Sequence, residues 1–183
     1  MSATTIPEVL SFWFAGRPVS QWFIKDAAFD AEVRAHLSAL HERAVAGALE
    51  AWRESAEGCV ALCILLDQVP RNLYRGEARA FASDDQALAV TRHALAQGFD
   101  RALPQVQRLF LYLPLEHSET LADQELCVSL VGGLDEQPKW LEYSLRHREI
   151  IARFGRFPHR NACLGRASTP EETDFLAGPG SSF

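Results

Sequence analysis

Apolar residues recur along most of this chain at steps of three and four, the spacing that lines one face of an α-helix. From Asp26 to Gly47 the stripe is Phe29, Val33, Leu37, Leu40 and Ala44, and Gly47 is a natural stop. The run from Gly58 to Asp67 is apolar all round, which predicts a helix buried on most sides. Ser83–Gln86 reads SDDQ, a capping-box pattern, and the helix it opens turns Leu88, Thr91 and Leu95 inward until Gly98. The segment PQVQRLFLYL sets Val106, Leu109, Phe110 and Leu113 on one side, with Pro114 expected to end or kink it.

Three further helices follow. ETLADQELCVSLV is closed by Gly132 and Gly133, with Ser118 as N-cap and Glu119 as first-turn acid. PKWLEYSLRHREIIARF starts on proline and carries the stripe Trp140, Tyr143, His147, Ile150, Ile151 and Phe154. TPEE at Thr169–Glu172 gives Thr as N-cap, Pro at the first position and Glu at the third. The tail AGPGSSF is expected to be loose or docked only by Phe183, and Trp13, Phe14, Trp22 and Phe23 to staple a core or wall a pocket. No alternating segment demands a strand. The expectation is one all-α domain over residues 1–183, seven to nine helices stacked as antiparallel hairpins.

Composition narrows the class without changing that picture. The chain has 183 residues, 48% hydrophobic and 23% charged, an ordinary globular mix. Its formal net charge of −6 argues against nucleic acid or an anionic membrane as partner. No apolar run is long enough for a span, and the N-terminus does not read as a signal peptide. Cys59, Cys63, Cys127 and Cys163 form no zinc-type pair, so reduced thiols and a cytoplasmic location are expected.

The candidate chemistry lies where buried segments give way to polar ones. In LDQVPRNLYRG, Leu66–Gly76, Asp67, Arg71 and Arg75 stand four apart after the most apolar run. A buried Asp67 requires a partner, and an arginine is the apt one. Either these residues form an internal lock, or Arg71, Asn72 and Arg75 wall an anion site with Asp67 beside them. YLPLEHSE presents Glu116, His117, Ser118 and Glu119, and a histidine beside carboxylates suits acid–base work. RFGRFPHRN gathers Arg153, Arg156, His159, Arg160 and Asn161 on a bent loop anchored by Phe154 and Phe157. The alternative for that loop is a tightly hydrogen-bonded turn whose arginines bond to carbonyls at helix ends.

His147 sits on an apolar stripe and reads as a core histidine. A metal site from His117, His147 and His159 with Glu119 or Asp123 is set aside, because no HExxH or repeated Glu-x-x-His occurs. No Walker loop, GxGxxG or nucleophile elbow is present. No metal or cofactor is expected, and no protein partner is named.

FWF at Phe12–Phe14, WF at Trp22–Phe23, LDQVPRNLYRG, AFASD, FLYLPLEHSE, ADQ, HREIIARFGRFPHRN and the LGR…STPEE…FL ending resemble the bacterial domain of unknown function 924 family, from about Val9 to Phe183. The resemblance implies an all-helical fold similar to tetratricopeptide-type hairpins and implies no reaction. Three functions then compete. The first is binding of a small anionic molecule with acid–base catalysis. Its catalytic candidates are His117, His159, Glu119 and Asp67, and Arg71, Asn72, Arg75, Arg160 and Asn161 would hold the ligand in the same cleft. The second is a protein- or peptide-binding scaffold, and the third is a purely structural use of the polar motifs.

Overall fold

The structure is a computed structural model that describes residues 5–17, 22 and 24–181. The expectations for Phe23 and Phe183 lie outside the described residues. Among those residues there is no strand. The helices are α1 (Ile6–Phe14), α2 (Ala27–Val45), α3 (Ala56–Cys63), α4 (Val69–Leu73), α5 (Asp84–Gln97), α6 (Gln105–Glu116), α7 (Leu121–Val131), α8 (Pro138–Phe154) and α9 (Pro170–Ala177). A π-helical turn, Ile64–Gln68, joins α3 to α4, so these nine segments form eight continuous rods. By internal contacts the chain divides into two units, residues 1–75 with 79–114, and residues 76–78 with 115–183.

In the first unit the periodicity was a faithful guide to α2. Phe29, Val33, Leu37, Leu40 and Ala44 are all buried, and Asp26 caps the helix by accepting from the Ala28 and Phe29 N–H groups. Trp13 and Phe110 are each 1% exposed and meet edge to face at 5.9 Å; Trp22 and Phe14 pack on the same Phe110 ring. These are the core staples the aromatic spacing implied, and Trp22 Nε1 donates to the Trp13 carbonyl.

Two local expectations fail for identifiable reasons. The SDDQ capping box does not form, because the Ser83 hydroxyl donates to the Leu66 carbonyl instead. The inward face of α5 is Ala87, Val90, Thr91 and Ala94, with Leu88 and Leu95 at its margins. Small residues let α5 approach α3 closely, where Thr91 Oγ1 lies 3.5 Å from Cys63 Sγ. Of the two outcomes expected at Pro114, the helix does not end there: α6 runs on to Glu116, buried all round from Leu109 onward.

In the second unit α7 begins at Leu121 with Thr120 as N-cap, two residues later than the sequence suggested. The Ser118 hydroxyl accepts from the Thr120 N–H and donates to Asp123, while Glu119 is drawn away to Arg166. On α8 the buried stripe is Trp140, Ser144, His147, Ile150 and Ile151. Tyr143 faces outward, 49% exposed, because the buried Glu116 carboxylate takes its hydrogen bond from Ser144. The α9 capping box is present as read: Thr169 accepts from the Glu172 N–H and Glu172 from the Thr169 N–H. Phe154 and Phe175 meet between α8 and α9 with ring centres 5.0 Å apart and planes tilted by 51°.

Candidate functional site

The segment after the apolar helix is organised by Pro70. Proline has no N–H and crowds the carbonyl four residues back. The backbone answers with the π turn, in which the Val69 N–H bonds to the Ile64 carbonyl. That shift removes the usual helical donors from the carbonyls of Leu65 and Leu66. His41 Nδ1–H donates to Leu65 O at 2.8 Å and the Ser83 hydroxyl to Leu66 O at 2.5 Å. The side chains close the same region. Arg71 is bidentate on Asp84 at 2.9 and 3.0 Å and lies 3.2 Å from Asp67, which is 1% exposed. Arg75 is bidentate on Asp30 at 2.6 and 2.7 Å, and Asn72 donates to the same carboxylate at 2.8 Å. Burial works against the Asp30 charge, but hydrogen bonds from Arg75 and Asn72 outweigh it and hold its pKa below the ordinary value. Thus Asp67, Arg71, Asn72 and Arg75 each have carboxylate or amide partners on α2, the π turn or the start of α5.

The remaining candidates lie in the second unit. There the loop between α8 and α9 turns at Gly155, whose φ of +67° suits glycine. Phe157 is fully buried as its anchor. Arg156 is bidentate on Glu172 at 2.6 and 2.7 Å, and Asn161 donates to Glu172 and to Ser168. The hydrogen bonds from Arg156 and the Thr169 N–H hold the Glu172 carboxyl at about 2. Arg166, which the sequence reading passed over, is bidentate on Glu119 at 2.6 and 2.9 Å, and Glu119 also accepts from the Phe157 N–H at 2.8 Å. Burial opposes the Glu119 charge, yet those donors win and keep its pKa low, so it stands as an ionised anchor of the loop.

Beside this network lies a denser polar cluster. Glu116, at the end of α6, and His147, midway along α8, are each 5% exposed; His117 is half-buried. One nitrogen of each imidazole and one Glu116 oxygen lie within 4.8 Å of one another. Glu116 Oε1 is 3.6 Å from His147 Nδ1, and Oε2 accepts from the Ser144 hydroxyl. His147 Nδ1–H donates to the Tyr143 carbonyl at 2.8 Å, so in the neutral ring the lone pair is on Nε2. Gln124, fully buried, donates to the carbonyls of Glu116 and Ser118, while its Oε1 has no hydrogen-bond partner among the described residues.

Arg160 donates to the His117 carbonyl at 3.1 Å with its guanidinium 4.5 Å from the Phe157 ring centre; the His147 and His159 rings each lie 5.6 Å from the same ring. The second unit therefore brings His159, Arg160 and Glu119 to Phe157, ties His117 to Arg160, and commits Asn161 to Glu172 and Arg166, whereas Asp67, Arg71, Asn72 and Arg75 belong to the first unit. The sequence presents Glu116 beside His117 but gives it no role of its own, and the α8 stripe read from it leaves out Ser144, since a carboxylate at the end of an apolar helix and the serine that meets it have no periodic signature.

Comparison with other proteins agrees with the helical reading. The sequence pattern of the family described as "Bacterial protein of unknown function (DUF924)" matches residues 9–180. The solved structure of a protein of unknown function, ATU0120 from Agrobacterium tumefaciens, is similar to this chain: TM-score 0.89, 40% sequence identity, covering 94% of this chain and 96% of that one. No match was found among curated proteins. No helix among the described residues is long and apolar enough to cross a membrane.

Proposed function

This chain belongs to the DUF924 family, bacterial proteins of unknown function, so its activity has to be argued from its own residues, and we propose that it binds a small anionic molecule at the Glu116–His117–His147 cluster and transfers a proton there. The observation that carries this reading is the convergence of two imidazoles and a buried carboxylate within 4.8 Å, beside a guanidinium. Histidine is the side chain suited to exchanging protons near neutral pH. His117, half-buried, meets the ligand; Glu116 and the Tyr143 carbonyl fix the His147 ring. Arg160 supplies the planar fork that suits a carboxylate or phosphate, and His159 flanks it across Phe157. In the same reading Glu119 and Asn161 hold the loop, and Asp67, Arg71, Asn72 and Arg75 act as a structural lock in the first unit. Four free thiols fit a reducing compartment, so a cytoplasmic location belongs to it as well.

Thermal-shift and calorimetric titration of the full chain with phosphate monoesters and dicarboxylates tests it. At least one ligand should stabilise the protein, with affinity at least ~10-fold weaker in Arg160→Gln and in His117→Ala, the loss expected for one charge-assisted hydrogen bond. Absence of any such ligand, or affinities unchanged in both variants, overturns it. A tetratricopeptide-like scaffold for a protein or peptide is the second reading, favoured by the exposure of Leu121, Leu126, Tyr143 and Leu145 on α7 and α8. It predicts that Tyr143→Asp abolishes partner binding while anion binding survives.

A further inference from the structure

From the cluster just described we infer that Glu116, His117 and His147 form a binding site for a first-row divalent cation of the zinc type. The inference rests on the reading that this cluster is the reactive centre, and it names what the cluster would hold. The donor set is two imidazoles and one carboxylate. That composition suits zinc or a neighbouring transition metal rather than calcium or magnesium, which prefer all-oxygen shells. Bonds of about 2.0–2.2 Å in tetrahedral geometry place ligand atoms about 3.3 Å apart. The three donor atoms already lie within 4.8 Å, so side-chain rotations of an ångström or so close the set around an ion.

The supporting groups are those that metal ligands use. A ligating histidine commonly donates its other ring N–H to a carbonyl, which fixes the tautomer; His147 Nδ1–H does so to the Tyr143 carbonyl. A ligating carboxylate is in turn hydrogen-bonded, and Glu116 accepts from Ser144. Two ligands are buried and one is half-buried, so the cluster is reached by solvent from the His117 side. Three protein ligands with an open fourth position are the mark of a catalytic rather than a structural zinc site. The alternative is that Glu116 and His147 are only a buried ion pair; it predicts no stoichiometric cation binding.

The test is calorimetric titration of the full, metal-stripped chain with Zn²⁺, and of a second sample with Co²⁺ followed by its visible d–d absorption. One ion per chain is expected, with a Co²⁺ spectrum of tetrahedral or five-coordinate type. His117→Ala, at a half-buried position that tolerates truncation, should weaken binding at least ~100-fold, and Ser144→Ala about 10–100-fold, the range for loss of an outer-shell partner. His93→Ala, on α5 in the first unit, should leave binding unchanged. Absence of one-to-one binding, or equal affinity in wild type and His117→Ala, overturns the site. Anion titration of the metal-stripped chain separates the two ideas. Anion binding without metal binding removes the metal site alone. Metal binding without an anion effect removes the functional reading and leaves the metal site standing.

Discussion

Asp67 is 1% exposed and brings a carboxylate into the interior of the first unit. An isolated charge there would cost several kcal/mol, and Arg71 and Gln68 offset that. Arg71→Ala should therefore destabilise the protein by about 3–5 kcal/mol, a fall of roughly 6–20 °C in Tm for a chain of this size; a loss under 1 kcal/mol by urea titration would contradict a structural lock. Glu172 gives the matching test in the second unit. Its folded pKa is depressed to about 2, so the stability it contributes is present above the unfolded carboxylate value of about 4.3 and disappears as pH falls through about 2. The stability difference between wild type and Glu172→Gln should be flat above about pH 5 and shrink steadily below it, read from denaturant midpoints across that range. A difference that grows as pH falls would reverse the sign and refute the assignment.

At the level of elements, the π turn is a consequence of one proline. Pro70 deprives the Leu66 carbonyl of its helical donor, and the π turn deprives that of Leu65; Ser83, just before α5, serves the first and His41 of α2 the second. Ser83→Ala leaves a buried carbonyl unsatisfied and should cost about 1–3 kcal/mol. In a Pro70→Ala background the restored N–H allows an α-helical repair, so the same change should cost less than half as much. A double-mutant cycle in urea measures this, and additive losses would show that Ser83 does not serve the proline-disrupted carbonyl. The α9 cap is simpler: Thr169→Ala should lose about 1 kcal/mol, as N-caps do.

For the whole chain, burial governs thiol chemistry. Cys59, Cys63 and Cys127 are 0–1% exposed, and burial pushes the Cys59 thiol up to about 11 and the Cys127 thiol well above its ordinary value. A thiol reagent should label one cysteine rapidly in the native protein, Cys163, and all four in denaturant; rapid labelling of two or more native thiols would contradict the packing. The sequence by itself determined the helical class, the inward face of α2, the α9 capping box, the glycine turn at 155 and the family, because propensity, period and capping act over a few residues and leave a local trace. It also marked Asp67, Arg71, His117, His159 and Arg160 as residues that need explanation. Only tertiary structure decided how they are used. Whether Ser83 caps its own helix or the π turn, whether Tyr143 or Ser144 faces inward, and that Glu116 meets His117 and His147 all depend on groups distant in sequence. A buried polar atom takes the partner that the fold brings within about 3 Å, and no local pattern encodes that distance.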